Sequence, residues 1–112
     1  MSIELDLWYT LDAENNTIPC TLHQWGQMYH TIEGQQRRKV AFDDIGEIQV
    51  STVFLGLDHN HFGGRPLLFE TMVFNGNGND IYCERYSTWK EAEEGHKTAL
   101  EWVNNGCPDE EE

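Results

Sequence analysis

The densest group of chemically capable side chains is Asp58-His59-Asn60-His61, which directly follows an apolar run. Residues two apart share a face of an extended chain, so His59 and His61 would present two imidazoles side by side. Two imidazoles begin a transition-metal site, which needs a third and usually a fourth ligand. Asp58, Glu70 and His96 are the candidates to complete it, and such a centre would support metal-assisted hydrolysis. No spacing fixes those further ligands. The alternative is a polar loop in which Asp58 caps backbone amides and the histidines are exposed or hydrogen-bonded.

Glu70 stands among Leu68, Met72 and Phe74, residues that would share one face of a strand. A carboxylate there must be paired, hydrogen-bonded or near a sheet edge, because burying it alone is costly. Arg85 or Arg65 is the expected partner, and ligand contact or proton transfer is the competing use. Arg37, Arg38, Lys39, Arg65 and Arg85 are five of only seven basic residues. Gathered around Trp8, Trp25 or Trp89, they would suit a nucleotide-like ligand. On these readings Trp25, Asp58, His59, Arg65, Glu70 and Arg85 are ligand-binding candidates, and His59 and His61 are metal candidates.

Other signals point away from catalysis. Gly63-Gly64-Arg65-Pro66 reads as a turn and not as a phosphate loop. Ser51 and Thr52 lack the glycine context of a hydrolase nucleophile elbow. His96 falls on the apolar stripe of the last helix, where packing is the expected role, with Gly95 admitting a neighbouring backbone. No catalytic residue is assigned and no cofactor is called for.

The elements that must position these groups follow from periodicity. Residues 3–9 alternate apolar and acidic, as a half-buried or edge strand does. A helix is expected with Thr17 as cap and Pro19 in its first turn, its face formed by Leu22, Trp25, Met28 and Tyr29. Residues 33–39 read as a polar connection and 40–42 as a short strand. Residues 48–57 carry the strongest strand pattern, ending covered on both faces as a central strand would. Strands at 67–74 and 80–86 flank a hairpin turn at 75–79. Thr88 and Glu91 fit a capping box that opens a helix with the stripe Trp89, Ala92, His96, Ala99, Leu100 and Val103. Asn104, Asn105 and Gly106 supply its stop.

The expected fold is α+β: an antiparallel meander of three to four strands, a C-terminal helix packed on one face, and a shorter N-terminal helix. A chain of 112 residues has room for one domain, placed at 1–108, with 109–112 as an acidic disordered tail. Twenty acidic residues against seven basic ones give a formal charge of −13, and −9 without the four acids of the tail. Such a body repels nucleic acid and anionic membranes and is suited to a basic surface. No apolar run reaches the length of a membrane span. The opening Met-Ser-Ile-Glu-Leu-Asp has neither the basic nor the apolar region of a signal peptide. Three cysteines without a C-x-x-C spacing fit free thiols in a reducing compartment.

Residues 50–61 (Val-Ser-Thr-Val-Phe-Leu-Gly-Leu-Asp-His-Asn-His), with 66–74 and with 84–96, resemble a recurrent segment of small bacteriophage-encoded proteins. That resemblance covers roughly residues 48–100. It implies a phage or prophage origin and action in the host cytoplasm, and it transfers no catalytic residue. Together with the acidity, it favours a protein that inhibits a host defence or nucleic-acid-processing protein by occupying its basic surface. Sequestration of a nucleotide-like ligand in an Arg/Trp pocket and metal-assisted hydrolysis at Asp58, His59 and His61 are the alternatives. The oligomeric state stays open, a homodimer included.

Overall fold

The computed structural model describes residues 7–60 and 64–108. The expected strand residues 3–6, the candidate ligand His61 and the expected disordered tail 109–112 lie outside the described residues.

The frame is a four-stranded antiparallel meander in sequence order: β3 (Lys39–Ile45), β4 (Ile48–Phe54), β5 (Phe69–Phe74) and β6 (Asp80–Tyr86). Helix α3 (Trp89–Asn104) lies across one face. Alternation decides which face is which. Val50, Thr52 and Phe54 on β4, and Phe69, Thr71 and Val73 on β5, are fully buried beneath the helix. Glu70, Met72 and Phe74 point the other way and are half-buried, while Leu68, before the strand begins, is fully buried. The outer face of β4 is likewise only half covered at Ser51 and Val53, so the expected covering of both faces does not occur.

α3 begins where the sequence pattern places it. Thr88 Oγ1 accepts from Glu91 N, and Glu91 Oε1 accepts from Thr88 N in return. Ala92, His96, Ala99 and Val103 are its buried residues, and the small alanines let the helix sit close on the sheet. Two apolar clusters result. Phe54, Leu68, Phe69, Ala92 and Met28 form one. Val50, Val73, Ala99 and Val103 form the other, under the last turns of α3.

The N-terminal third departs from expectation in three places. Thr17 does not cap a helix: β2 (Thr17–Pro19) pairs with β1 (Tyr9–Leu11) as a two-stranded ladder, Tyr9 opposite Pro19. Proline is tolerated in such a peripheral ladder, and the cap moves to Thr21, whose box with Gln24 starts α1 (Leu22–His30). The polar stretch at 33–39 is not a connection but mostly a second helix, α2 (Ile32–Arg37), capped by the Thr31 hydroxyl on Gly34 N. A Cβ on Gly34 would lie 2.1 Å from the Met28 carbonyl oxygen, so this α1–α2 corner requires glycine. Finally, β3 runs on through Asp43 and Asp44, because the tight turn at Gly46 (φ +64°) holds Ile45 opposite Ile48.

Candidate functional site

A polar chain crosses the interior between α3 and the sheet. His96 Nε2 lies 2.7 Å from Asp43 Oδ2, and its Nδ1 lies 2.7 Å from Thr52 Oγ1. Thr52 Oγ1 lies in turn 2.6 Å from Thr71 Oγ1, its partner across the β4–β5 ladder. A carboxylate only accepts, so Nε2 carries the proton that Asp43 receives. Where Nδ1 carries no proton it accepts from the Thr52 hydroxyl, which leaves Thr52 to accept from Thr71. Every buried donor in the chain therefore has an acceptor, as a polar group in an apolar interior requires.

The order carboxylate, imidazole, hydroxyl is that of a nucleophile triad, but the setting differs. Thr52 is fully buried on a middle strand and His96 is buried beside it, and the clefts beside Trp102, Arg65 and Asn15 are lined by neither. With no path to the hydroxyl, the chain holds α3 against β3 and β4. Sequence reasoning named His96 but missed Asp43, Thr52 and Thr71. The available signal was the pair of threonines at inward positions of two otherwise apolar strands.

Gly95 admits a side chain, not the expected backbone. A Cβ there would meet the Tyr86 ring and hydroxyl at 2.1–2.4 Å. The Tyr86 hydroxyl is buried without a hydrogen bond of good geometry. Burial raises its pKa, with the neighbouring Thr71 hydroxyl opposing the shift.

The Asp58 loop is built as the polar alternative describes. Asp58 Oδ1 accepts from Asn60 N at 2.8 Å and from Leu67 N at 3.0 Å, stapling the two arms of the loop. His59 N donates to the Leu67 carbonyl. No group of three metal-ligating side chains occurs among the described residues. Glu70 takes Arg85 as its partner, Arg85 Nε donating to Oε2 at 3.0 Å. Arg65 instead forms a bidentate pair with Glu91, its two terminal nitrogens at 3.0 and 3.1 Å. These hydrogen bonds hold the Glu91 carboxyl below its usual pKa.

Arg65 and Arg85 share an open cleft of about 350 Å³ with Glu91 and Glu94. Arg37 and Arg38 serve elsewhere. Arg37 donates to Asn15 Oδ1 and to the Asp12 carbonyl. Arg38 stacks over Tyr29 at 3.7 Å and donates to the Phe54 carbonyl at 3.0 Å. Trp25 stacks against Trp8 and Tyr29, with Nε1 donating to the Leu55 carbonyl. The arginines thus divide: Arg37 lies over the Trp89 ring at 6.0 Å and Arg38 over Tyr29 beside Trp25, while Arg65 and Arg85 pair with carboxylates elsewhere, so they do not form one pocket around a single tryptophan.

The charges are unevenly placed. Residues 40–64, 66–84 and 98–112 contain no lysine or arginine. The β3–β4 and β5–β6 turns lie at one end of the sheet, since Gln49 pairs with Phe74. The last turns of α3 cover that same end, where Val103 joins Val50 and Val73. Asp44, Glu47, Asp80 and Glu101 are exposed around it, and no ion pair engages them among the described residues. No helix among the described residues is long and apolar enough to cross a membrane. No protein-family model, curated protein or solved structure matches the chain.

Proposed function

We propose that this chain works by contact: its acidic hairpin end occupies a basic surface on another protein. The reading that fits is an inhibitor of phage type, acting in the host cytoplasm on a defence or nucleic-acid-processing protein. The observation that carries it is the uncompensated end of the sheet, where Asp44, Glu47, Asp80 and Glu101 are exposed and the two basic residues of the strands, Lys39 and Arg85, lie at the opposite end. Carboxylates so placed stand in for phosphates in a groove made for nucleic acid, and they speed association through long-range attraction.

The arginine arrangement favours this over ligand sequestration, because Arg65 and Arg85 are each already held by a carboxylate. The test is co-purification of the full chain from its native host. A partner released by raised salt and displaced by competitor DNA supports the proposal. A nucleotide-like molecule bound in place of a protein overturns it.

A further inference from the structure

We propose that the uncovered face of the sheet docks a second copy of this chain, face to face, about a two-fold axis running across the strands. The strand register sorts that face into three rows. Lys39, Val53, Glu70 and Arg85 lie side by side at one end. Phe42, Ser51, Met72 and Cys83 form the middle. Asp44, Gln49, Phe74 and Asp80 form the row nearest the hairpin turns.

Two features mark this face for covering. First, α3 packs on the opposite side, and an open antiparallel face is ordinarily polar. Here Val53, Phe74 and Met72 point outward, and Phe42 and Ile81 remain 53 % and 38 % exposed. Second, the face is nearly neutral while the chain carries −13. Its five charged side chains are two basic and three acidic, so approach of a like chain is opposed far less here than elsewhere.

The charge pattern selects the second copy and its orientation. The first row has a net positive balance, because Glu70 already neutralises Arg85 and leaves Lys39. The third row is negative at Asp44 and Asp80. A two-fold axis through the middle row, perpendicular to the strands, reverses strand direction in the partner. It lays each basic row over the other copy's acidic row and brings the two middle rows together, as an isologous interface demands. A partner with one uniformly basic surface would match only the third row.

Four strands about 4.8 Å apart and six or seven residues long give a footprint of about 19 by 21 Å. That is roughly half the ~800 Å² per partner of a standard interface, so dissociation in the micromolar range is expected. The two acidic hairpin ends would then project at opposite ends of the dimer. Asp44 and Asp80 belong to both contacts, but Glu47 and Glu101 lie outside the dimer and Phe42 lies outside the acidic end, so substitutions at these positions test partner binding and dimerisation separately.

Sedimentation equilibrium of the full chain across a concentration series tests it. Wild type should dimerise, and Phe42→Glu should weaken the dimer by more than about tenfold, with circular dichroism unchanged because Phe42 is exposed. Lys39→Glu and Asp44→Lys should each weaken self-association, since each faces a like charge across the axis. Mixed together they should form a heterodimer in preference to either homodimer, because both facing pairs become attractive. A wild type that stays monomeric at about 200 µM, well above a micromolar dissociation constant, would overturn the proposal. So would an unchanged dimer in Phe42→Glu, or a mixture showing no preference.

Discussion

His96 and Asp43 join the last helix to the first strand of the meander. The imidazole Nε2 lies 2.7 Å from Asp43 Oδ2, and the ring's other nitrogen is committed to Thr52. The tie spans the hydrogen-bonded interior and gives it one direction, from Thr71 through Thr52 and His96 to Asp43. Two equally buried threonines therefore contribute unequally.

Thr52→Val strands both the Thr71 hydroxyl and His96 Nδ1, whereas Thr71→Val removes only the terminal donor. The expected losses are about 2–3 kcal/mol for Thr52→Val and about 1 kcal/mol or less for Thr71→Val. Urea denaturation with an unchanged m-value reads this directly. Equal losses would mean that the chain does not run in this direction.

Gly95→Ala should destabilise the fold despite alanine's better helix propensity. The new methyl meets the Tyr86 ring and hydroxyl at 2.1–2.4 Å, and overpacking of this kind costs about 1–3 kcal/mol. Tyr86→Phe should be close to neutral, because the deleted hydroxyl makes no good hydrogen bond. Thermal melts of both variants and of the double variant suffice. The double should recover part of the loss, since the hydroxyl is among the atoms the methyl meets.

The Glu91 carboxyl is held below its ordinary pKa of 4.5, first by its hydrogen bonds to Arg65 and then by the amides of the helix start. A depressed folded pKa gives stability that is fully present above the unfolded pKa. That stability is lost as pH falls through the folded value. Wild type should therefore lose more stability than Glu91→Gln on acidification below about pH 4.5. Thr88→Ala, which removes the reciprocal cap, should cost about 1 kcal/mol at any pH. A Glu91→Gln variant with the same acid profile as wild type would contradict this.

Asp58→Ala should loosen the loop it staples, at about 1–3 kcal/mol for two amides that lose their acceptor. Zinc should leave the melting temperature of wild type unchanged, because Asp58 Oδ1 is committed to two backbone amides. A concentration-dependent rise on adding zinc would instead support the metal reading of Asp58, His59 and His61.

The meander and its helix were legible because their signals are local and redundant. Alternation at Val50, Thr52 and Phe54 and the box at Thr88 and Glu91 each specify one answer. The start of α1 was misplaced by competition between two starts: Thr17-Ile-Pro19 looks like a helix entry, but pairing with Tyr9 claims it for a strand. α2 was missed because it has no apolar stripe, and only the Thr31 cap marks it. The interior polar chain joins residues 53, 44 and 19 positions apart. No periodicity connects such distant residues, and the expected strand at 40–42 stops just short of Asp43.

The central claim is that the acidic hairpin end makes the contact, and the most direct measurement changes only that end. Wild type and the double variant Glu47→Gln/Glu101→Gln are compared for binding to the partner recovered from the native host, at several salt concentrations. Both positions are exposed, so the fold should be undisturbed. The account predicts clearly weaker binding by the double variant and a shallower salt dependence. Equal affinity and equal salt dependence in the two proteins, or no partner recovered by wild type, would contradict it.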